Sequence, residues 1–527
     1  METLHNTTWD VIISGTGLPQ SLLALSLSRS DKRVLHIDQN EFYGGPEAAF
    51  SLQEAETWVR QLNDVSPSHT RTVYSSVSLQ QPPNHDTDGP KLSFSRAYSL
   101  TLSPQIIYSR SALISALVDS KVYKQLDFLA VGSWWVFSSP EDAESVRAGS
   151  LLKVPNGRED IFTDSSLRSK DKRALMKFLR FMTDYEELHD IWEPYRDQPF
   201  SALLIENFKM SPKLQEPICA LTLTSMTPNR TSTEYALPRI ARHLRSVGVF
   251  GPGFGAIIPK WGGLSEVAQV GCRAGAVGGA TYVLAKGIEG RQYKEPDSPD
   301  GPSDITLNLR GGESVSTKWL VGARDEALGQ PSNSMQRSRD SAPGLLRSIS
   351  IVSSPLRSLF PPLGEGSPVP AAAVVVFPTG SLTIEGISSA DMPPVNIFVH
   401  SSETGECPTG QSVLYASISP VECDCEVILK QAVDTLLLAS REEPQPKVLW
   451  SLHYKVNLPL PEVAEVDNGV RVTGNIVELP HTSLDLVFED AVVDQVQVAW
   501  RHVTGQRNSE FLDFEDREGT NEDANND

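Results

Sequence analysis

The spacing of apolar and polar positions changes texture several times along the chain. Residues 9–45 open with the β-branched run Val11, Ile12, Ile13, continue through Gly15 and Gly17 into leucines at helical intervals, and close on an apolar run that ends at Asp38. This order predicts a β-turn-α-β unit. Residues 46–68 suit a helix with Trp58 and Leu62 inward, whereas residues 80–90 hold three prolines and a glycine and predict a loop. Residues 98–107 resume a strand pattern that Pro104 interrupts.

From 109 to about 244 the apolar residues recur at three and four. Leu113, Leu117, Val122 and Leu126 repeat in this way, and Ala174, Leu175, Phe178, Leu179 and Met182 form one helical face, with Lys172, Arg173, Lys177 and Arg180 as its solvated side. Between them, residues 131–137 and 151–155 read as strands around a turn. Beyond 239 the α/β texture returns, with a strand at 281–284, a polar hairpin or loop over 289–304, and paired strands at 305–309 and 319–321. Further strands are expected at 371–377, 395–400, 412–417 and 448–454, and a terminal helix at 484–500. Residues 325–344 and the acidic stretch 505–527 are too poor in apolar residues to order themselves and predict a flexible insertion and a disordered tail. The expected organisation is a main domain in two parts, 1–108 and 236–504, around a smaller, mostly helical domain over 109–235.

Composition narrows the function classes. A chain of 527 residues with 39% hydrophobic and 21% charged residues can bury a substantial core, and a net charge of -20 argues against nucleic acid as a partner. The five cysteines lack zinc or redox spacing, so reduced thiols in a cytoplasmic protein are expected, and no metal site is expected. The longest apolar run, 371–377, lies between Pro370 and Pro378 and falls far short of the ~20 residues that span a bilayer.

Gly15, Gly17 and Asp38 match the dinucleotide-binding fingerprint: a tight turn, a helix N-terminus for the pyrophosphate, and an acid for the ribose about 20 residues on. Gln20 stands where the third glycine should be, beside Pro19. Two readings stay open on these residues, an FAD- or NAD-dependent oxidoreductase, and a fold that keeps the turn for architecture alone. No nucleophile elbow, phosphate loop or metal-protease spacing occurs to favour another enzyme class.

Read whole, residues 9–45 resemble the first block of the superfamily of Rab GDP-dissociation inhibitors and Rab escort proteins, and residues 154–181, 265–284 and 447–454 agree with it. GTGLPQS, REDIF before the helix, the extra length and the acidic tail resemble the escort branch, and the divergence resembles fungal members. The resemblance implies an α/β, flavoprotein-like main domain with mixed sheets and an inserted helical domain, without flavin and without catalysis. It implies Rab GTPases, the Rab geranylgeranyl transferase heterodimer and the geranylgeranyl lipid as partners, with transient membrane contact. A dissociation inhibitor is the alternative within the superfamily. The residues carried over are Tyr43, Gly44 and Gly45 in FYGG with Glu266, Arg273 and Val283 as a Rab-binding platform, and Leu175, Phe178, Leu179 and Met182 as candidates for a prenyl cleft. Glu266 and Arg273 can equally share a solvated helix face, Tyr43 can be a packing tyrosine, and the helical face can be ordinary core. Gln39 and Pro259-Lys260-Trp261 depart from the family pattern.

Overall fold

The computed structural model describes residues 4–64, 73–82, 89–139, 149–155, 167–251, 253–293, 304–323, 344–363, 368–383, 388, 390–421, 424–457, 467–480, 483, 485–506 and 511–515. The β-branched runs at 11–13 and 34–37 become β1 (Thr7–Ser14) and β2 (Val34–Ile37), parallel partners joined through helix α1 (Leu18–Leu27). Their sheet runs in the order β10 (Thr281–Val283), β2, β1, β13 (Ser314–Ala323), β12 (Ile305–Leu309), β11 (Ile288–Tyr293), with β20 (Ile476–Leu479) also on β13 and β19 (Arg471–Thr473) on β20. A parallel β1 needs both faces covered. Val11 and Ile13 meet α1, α9 (Leu264–Val277) and α11 (Ala491–Thr504), whereas Ile12 packs with Leu35 and Leu307 on the opposite face.

The second sheet has the order β4 (Tyr74–Gln80), β18 (Val448–Asn457), β14 (Gly344–Val352), β17 (Ser412–Ile418), β16 (Val395–Ser401), β15 (Ala372–Phe377), β7 (Phe128–Ser138), β9 (Ala256–Pro259), β6 (Ile107–Tyr108), with β8 (Ser150–Lys153) on β7. One face packs against α2 (Leu52–Asp64), where Trp58 is buried, and against the helices α4 (Ser169–Thr183), α5 (His189–Trp192), α6 (Phe200–Glu206), α7 (Pro212–Ala220) and α8 (Thr233–Ser246). The other face lies under α10 (Cys425–Ala439). A small pair, β3 (Ala49–Phe50) and β5 (Leu100–Thr101), completes the strands. The mixed α/β, flavoprotein-like class expected from the sequence is thus the observed one.

Several boundaries differ from the expectations. Helix α3 (Ala112–Asp119) packs in the core with α1, α9 and α11, and β7 and β8 join the large sheet, so the consecutive helical run begins at Ser169 and ends at Ser246. Of the two alternatives for 289–304, hairpin or loop, the hairpin is the one observed at 289–293, which belong to β11 and pair antiparallel with β12. The terminal helix starts at Ala491, because residues before it are drawn into extended pairing: Ile106 N–H donates to the Leu486 carbonyl at 3.0 Å and Phe488 N–H to the Ile106 carbonyl at 2.9 Å. Within the stretch 505–527, Leu512 is buried and Phe511 and Phe514 pack beside it, so this part is anchored by apolar contact rather than loose. The expected insertion at 325–344 lies outside the described residues except for Gly344, as do the whole of REDIF and the end of the acidic tail.

Candidate functional site

The site is built where β1 turns into α1. Gly15 adopts φ 87°, which suits a residue without Cβ, and Pro19 sits in the first turn of α1, where a missing N–H costs nothing. In a dinucleotide-binding protein the free N–H groups at this helix end meet a pyrophosphate. Here the chain supplies its own anion: the FYGG turn folds over α1, and Leu18 N–H donates to Glu47 Oε2 at 3.1 Å. Glu47 is 1% exposed at the end of a 3-10 turn over Gly45–Glu47. Contact is close enough that a Cβ on Gly45 would stand 3.3 Å from the Gly17 nitrogen, and one on Gly17 would stand 2.8 Å from Gln20 Oε1. Gln20, buried itself, therefore shares the space over Gly17.

Asp38 is equally engaged. Its Oδ2 accepts from Thr16 N–H at 2.8 Å and Thr16 Oγ1 at 2.6 Å, and its Oδ1 accepts from Asn40 N–H at 2.7 Å and Asn40 Nδ2 at 2.9 Å. Burial raises this carboxyl above its ordinary value against the four bonds that favour the ionised form. Beneath the turn, His36 is fully buried with its Nε2 2.5 Å from the Gly15 carbonyl, and burial lowers it to about 4, so the ring is neutral and donates from Nε2. The void left between α1, Glu47 and the segment before α11 is about 10 Å³, room for a single water. A flavin or nicotinamide dinucleotide does not fit these residues: its phosphates would meet the Glu47 carboxylate and its ribose would find Asp38 already occupied.

The same turn positions the residues carried over as a platform. Gly44, at φ 104°, donates its N–H to Thr16 Oγ1 at 3.0 Å, and a Cβ there would stand 3.1 Å from the Ala48 Cα and 3.5 Å from Ser265 Oγ at the start of α9. Tyr43 is half-buried, its hydroxyl 2.8 Å from Ser21 Oγ on α1, and its phenol is raised far above the ordinary value by burial and then by the neighbouring Cys272 of α9. Glu266 and Arg273 lie two turns apart on α9, and Arg273 Nη2 reaches back to Glu266 Oε1 at 2.8 Å. The arginine side chain stays 54% exposed and the glutamate 18%, so most guanidinium donors remain turned to solvent. Gly44 thus meets Ser265 and Tyr43 lies near Cys272, both on α9, the helix that also carries Glu266 and Arg273, whereas Gly45 packs on Gly17. Val283 falls elsewhere: opposite Ile37 on the edge strand β10, it packs against the core on the other face of the sheet.

The four prenyl-cleft candidates sit on α4. Phe178 and Met182 are each 2% exposed, and the Phe178 ring packs edge-on against Phe208 at 5.2 Å and tilted against Phe200 at 6.2 Å. Leu175 and Leu179 are half-buried, and Lys177 lies over Phe208 at 5.3 Å, bonded to the Asn207 carbonyl. Sequence reading missed two groups. Phe181, one turn from Phe178 on α4, and Phe200 and Phe208 complete the cluster, and the last two lie beyond α4, where its period cannot show them. Trp261, noted only as a departure from the family, stands 52% exposed just before α9, at φ 72°, with its N–H on the Thr404 carbonyl and its carbonyl accepting from Ser99 Oγ. Exposed aromatics held by such contacts are typical interface anchors.

Comparison with known proteins agrees with this geometry. Residues 5–359, more than half of the chain, match the family described as GDP dissociation inhibitor. A protein of Saccharomyces cerevisiae named Rab proteins geranylgeranyltransferase component A is 30% identical over 435 residues, 82% of this chain and 65% of the relative, and its Candida albicans namesake is 29% identical over 82% and 63%. The alignments thus span slightly less than two thirds of these relatives' own lengths. A Rab GDI structure from Plasmodium falciparum superposes with a TM-score of 0.62 over 95% of this chain and 99% of its own, at 18% identity, and a putrescine oxidase with 0.51 over 95% and 100%, at 14%. At these identities the two structures speak for the shared fold alone. From the profile match over most of its length, the chain belongs to the GDP dissociation inhibitor family.

Proposed function

We propose that the chain acts as a Rab escort protein, a non-catalytic accessory subunit that binds newly made Rab GTPases in the GDP form, presents them to Rab geranylgeranyl transferase and delivers the lipidated product to membranes. The observation that carries this reading is the alignment over four fifths of the chain with relatives named as component A of that transferase. The geometry supports it, because the helix end that would bind a cofactor is capped by Glu47 and the exposed residues beside it are an arginine and a tryptophan suited to a protein partner. Arg273 keeps exposed donors for a carboxylate or carbonyl of the GTPase, and Tyr43 packs against Ser21 of α1 and Tyr282 of β10. The proposed setting is cytoplasmic with transient membrane association; no helix among the described residues is long and apolar enough to cross a membrane.

For the lipid, Leu175 and Leu179 are the accessible members of the α4 face, and Phe178 and Met182 have to yield before a prenyl chain enters. Each buried CH₂ contributes about 0.8 kcal/mol, so a chain of this length outweighs a surface ion pair and governs retention of the product. Rab GDP-dissociation inhibition is the second reading, favoured by the family match itself. The two separate in one assay: unprenylated Rab, transferase heterodimer and geranylgeranyl diphosphate, with and without this chain. Stimulated lipid transfer is expected; extraction of prenylated Rab from membranes without any stimulation would leave the inhibitor reading. In the same assay, Glu266→Ala with Arg273→Ala is expected to weaken Rab capture about tenfold with the fold intact, and unchanged capture would return both residues to a solvated face.

A further inference from the structure

Trp261 stands out from the other large apolar residues. It is the only exposed one of the nine tryptophans, and its backbone sits at φ 72°, a region that residues with a Cβ rarely adopt. Such a conformation persists only where the surroundings over-determine it. Three contacts do so here. The Trp261 N–H donates to the Thr404 carbonyl at 2.9 Å, its carbonyl accepts from Ser99 Oγ at 2.8 Å, and its ring lies on Gly405, where any Cβ would run into the indole carbons. Lys260 Nζ lies 4.6 Å from the ring centroid.

Behind these contacts is a buried carboxylate. Glu406, 0% exposed, follows Gly405 in the loop from β16 to β17. Its Oε2 accepts from His400 Nδ1 on β16 and from the Tyr415 hydroxyl on β17, both at 2.8 Å. The Tyr415 oxygen in turn accepts from Thr101 N–H on β5 at 3.3 Å, and the Glu406 carbonyl accepts from Ser99 N–H at 3.2 Å. One residue thus ties together the loop under the indole, the two strands that carry that loop, and the segment that holds the Trp261 carbonyl. Among the described residues no lysine or arginine pairs with Glu406, and its Oε1 and the His400 Nε2 have no hydrogen-bond partner. An apolar side chain of similar volume would cost less to bury, so stability alone does not account for a carboxylate here. We infer that Glu406 is a positioning residue: gripped by His400 and Tyr415, it fixes Thr404, Gly405 and Ser99 so that Trp261 stands preformed at the surface as an anchor for a protein partner. An anchor ordered in advance loses little freedom on binding. That the partner is a Rab GTPase rests on the function proposed above; the display of Trp261 does not.

Acrylamide quenching of tryptophan fluorescence reads the exposed indole without any partner, with Trp261→Phe supplying the background of the other tryptophans. Glu406→Leu removes both acceptor bonds and is expected to raise the quenching of Trp261 toward the value in Gly405→Ala, where the new Cβ displaces the ring. Glu406→Gln is expected to match the parent, because its amide oxygen can take both bonds while the amide nitrogen falls at the unpartnered Oε1. Tyr415→Phe, a milder change, is expected to give an intermediate value and answers even if Glu406→Leu does not fold, which far-UV circular dichroism reports. Parent-like quenching in Tyr415→Phe or in folded Glu406→Leu, or displaced quenching in Glu406→Gln, would overturn the inference. In a Rab binding isotherm, Trp261→Ala and Glu406→Leu are each expected to weaken capture about tenfold, and the double variant no further. Additive losses would refute a role through Trp261, whereas a parent chain that binds no Rab would sink the Rab reading alone and leave the quenching result standing.

Discussion

Glu47 replaces a cofactor's phosphate with a side chain, and its removal measures how much the fold depends on that substitution. Glu47→Ala takes away a charge-assisted bond to a buried helix N-terminus, an interaction of about 1.5–3 kcal/mol, together with a favourable dipole contribution of up to about 2 kcal/mol that is not fully additive. The expected loss is about 2–4 kcal/mol. Glu47→Gln keeps the volume and an acceptor for Leu18 N–H, 3.1 Å away in the parent, and loses the charge alone, so about 1–2 kcal/mol is expected. Urea denaturation followed by far-UV circular dichroism reads both, with the first cooperative transition compared across the three proteins at low and high salt. Because Glu47 is 1% exposed, added salt is expected to change the differences little. A Glu47→Gln protein as stable as the parent would show that the helix end has no need of an anion, and the explanation of the closed site would fail.

Acid titration offers a second check. His36 and His243 are both lowered by burial from 6.5 to about 4, so the folded state resists protonation that the unfolded chain accepts; their contribution is complete above pH 6.5 and is lost as pH falls toward 4, about 2 kcal/mol each at pH 5. Denaturation midpoints at pH 7.5 and pH 5 should converge in His36→Gln and His243→Gln relative to the parent, and an unchanged slope would refute the assignment. Phe178→Ala is expected to destabilise by about 3–5 kcal/mol as a core truncation, read by thermal melting; a loss below about 1 kcal/mol would mean that the ring lines open space. Gly44→Ala places a Cβ 3.1 Å from the Ala48 Cα at φ 104° and is expected to cost more than about 1 kcal/mol and to weaken Rab capture, measured by melting and by a binding isotherm.

The sheets were legible because their strands are short apolar runs bounded by glycine, proline or polar clusters: 395–400 and 412–417 appear almost unchanged as β16 and β17. The opening unit was legible for the same reason, since Gly15 needs its positive φ whether or not a cofactor follows. What was not legible depends on chain segments meeting across long separations. Nothing local marks Glu47 as the cap of a helix that begins 29 residues earlier. Residues 485–488 have helix-like spacing but pair with Ile106, and their backbone bonds are therefore made across the chain instead of within a helix. The α4 face was found, but its burial was set by Phe200 and Phe208 on other elements, which the periodicity of α4 cannot reveal.

The position of β1 has a consequence for how the chain is made. Its two neighbours in the sheet are β2, next in sequence, and β13, where Ile13 pairs with Val321, while β20 adds to β13 only at residues 476–479. At about 5–20 residues per second, a nascent chain waits roughly 15–60 s between the emergence of β1 and that of its second partner. During that interval one edge of a strand carrying the apolar run Val11, Ile12, Ile13 has no sheet to join. Newly synthesised chains of this protein should therefore depend on a holding chaperone until residue 323 has left the ribosome, and truncations that stop before β13 should be captured by one rather than fold.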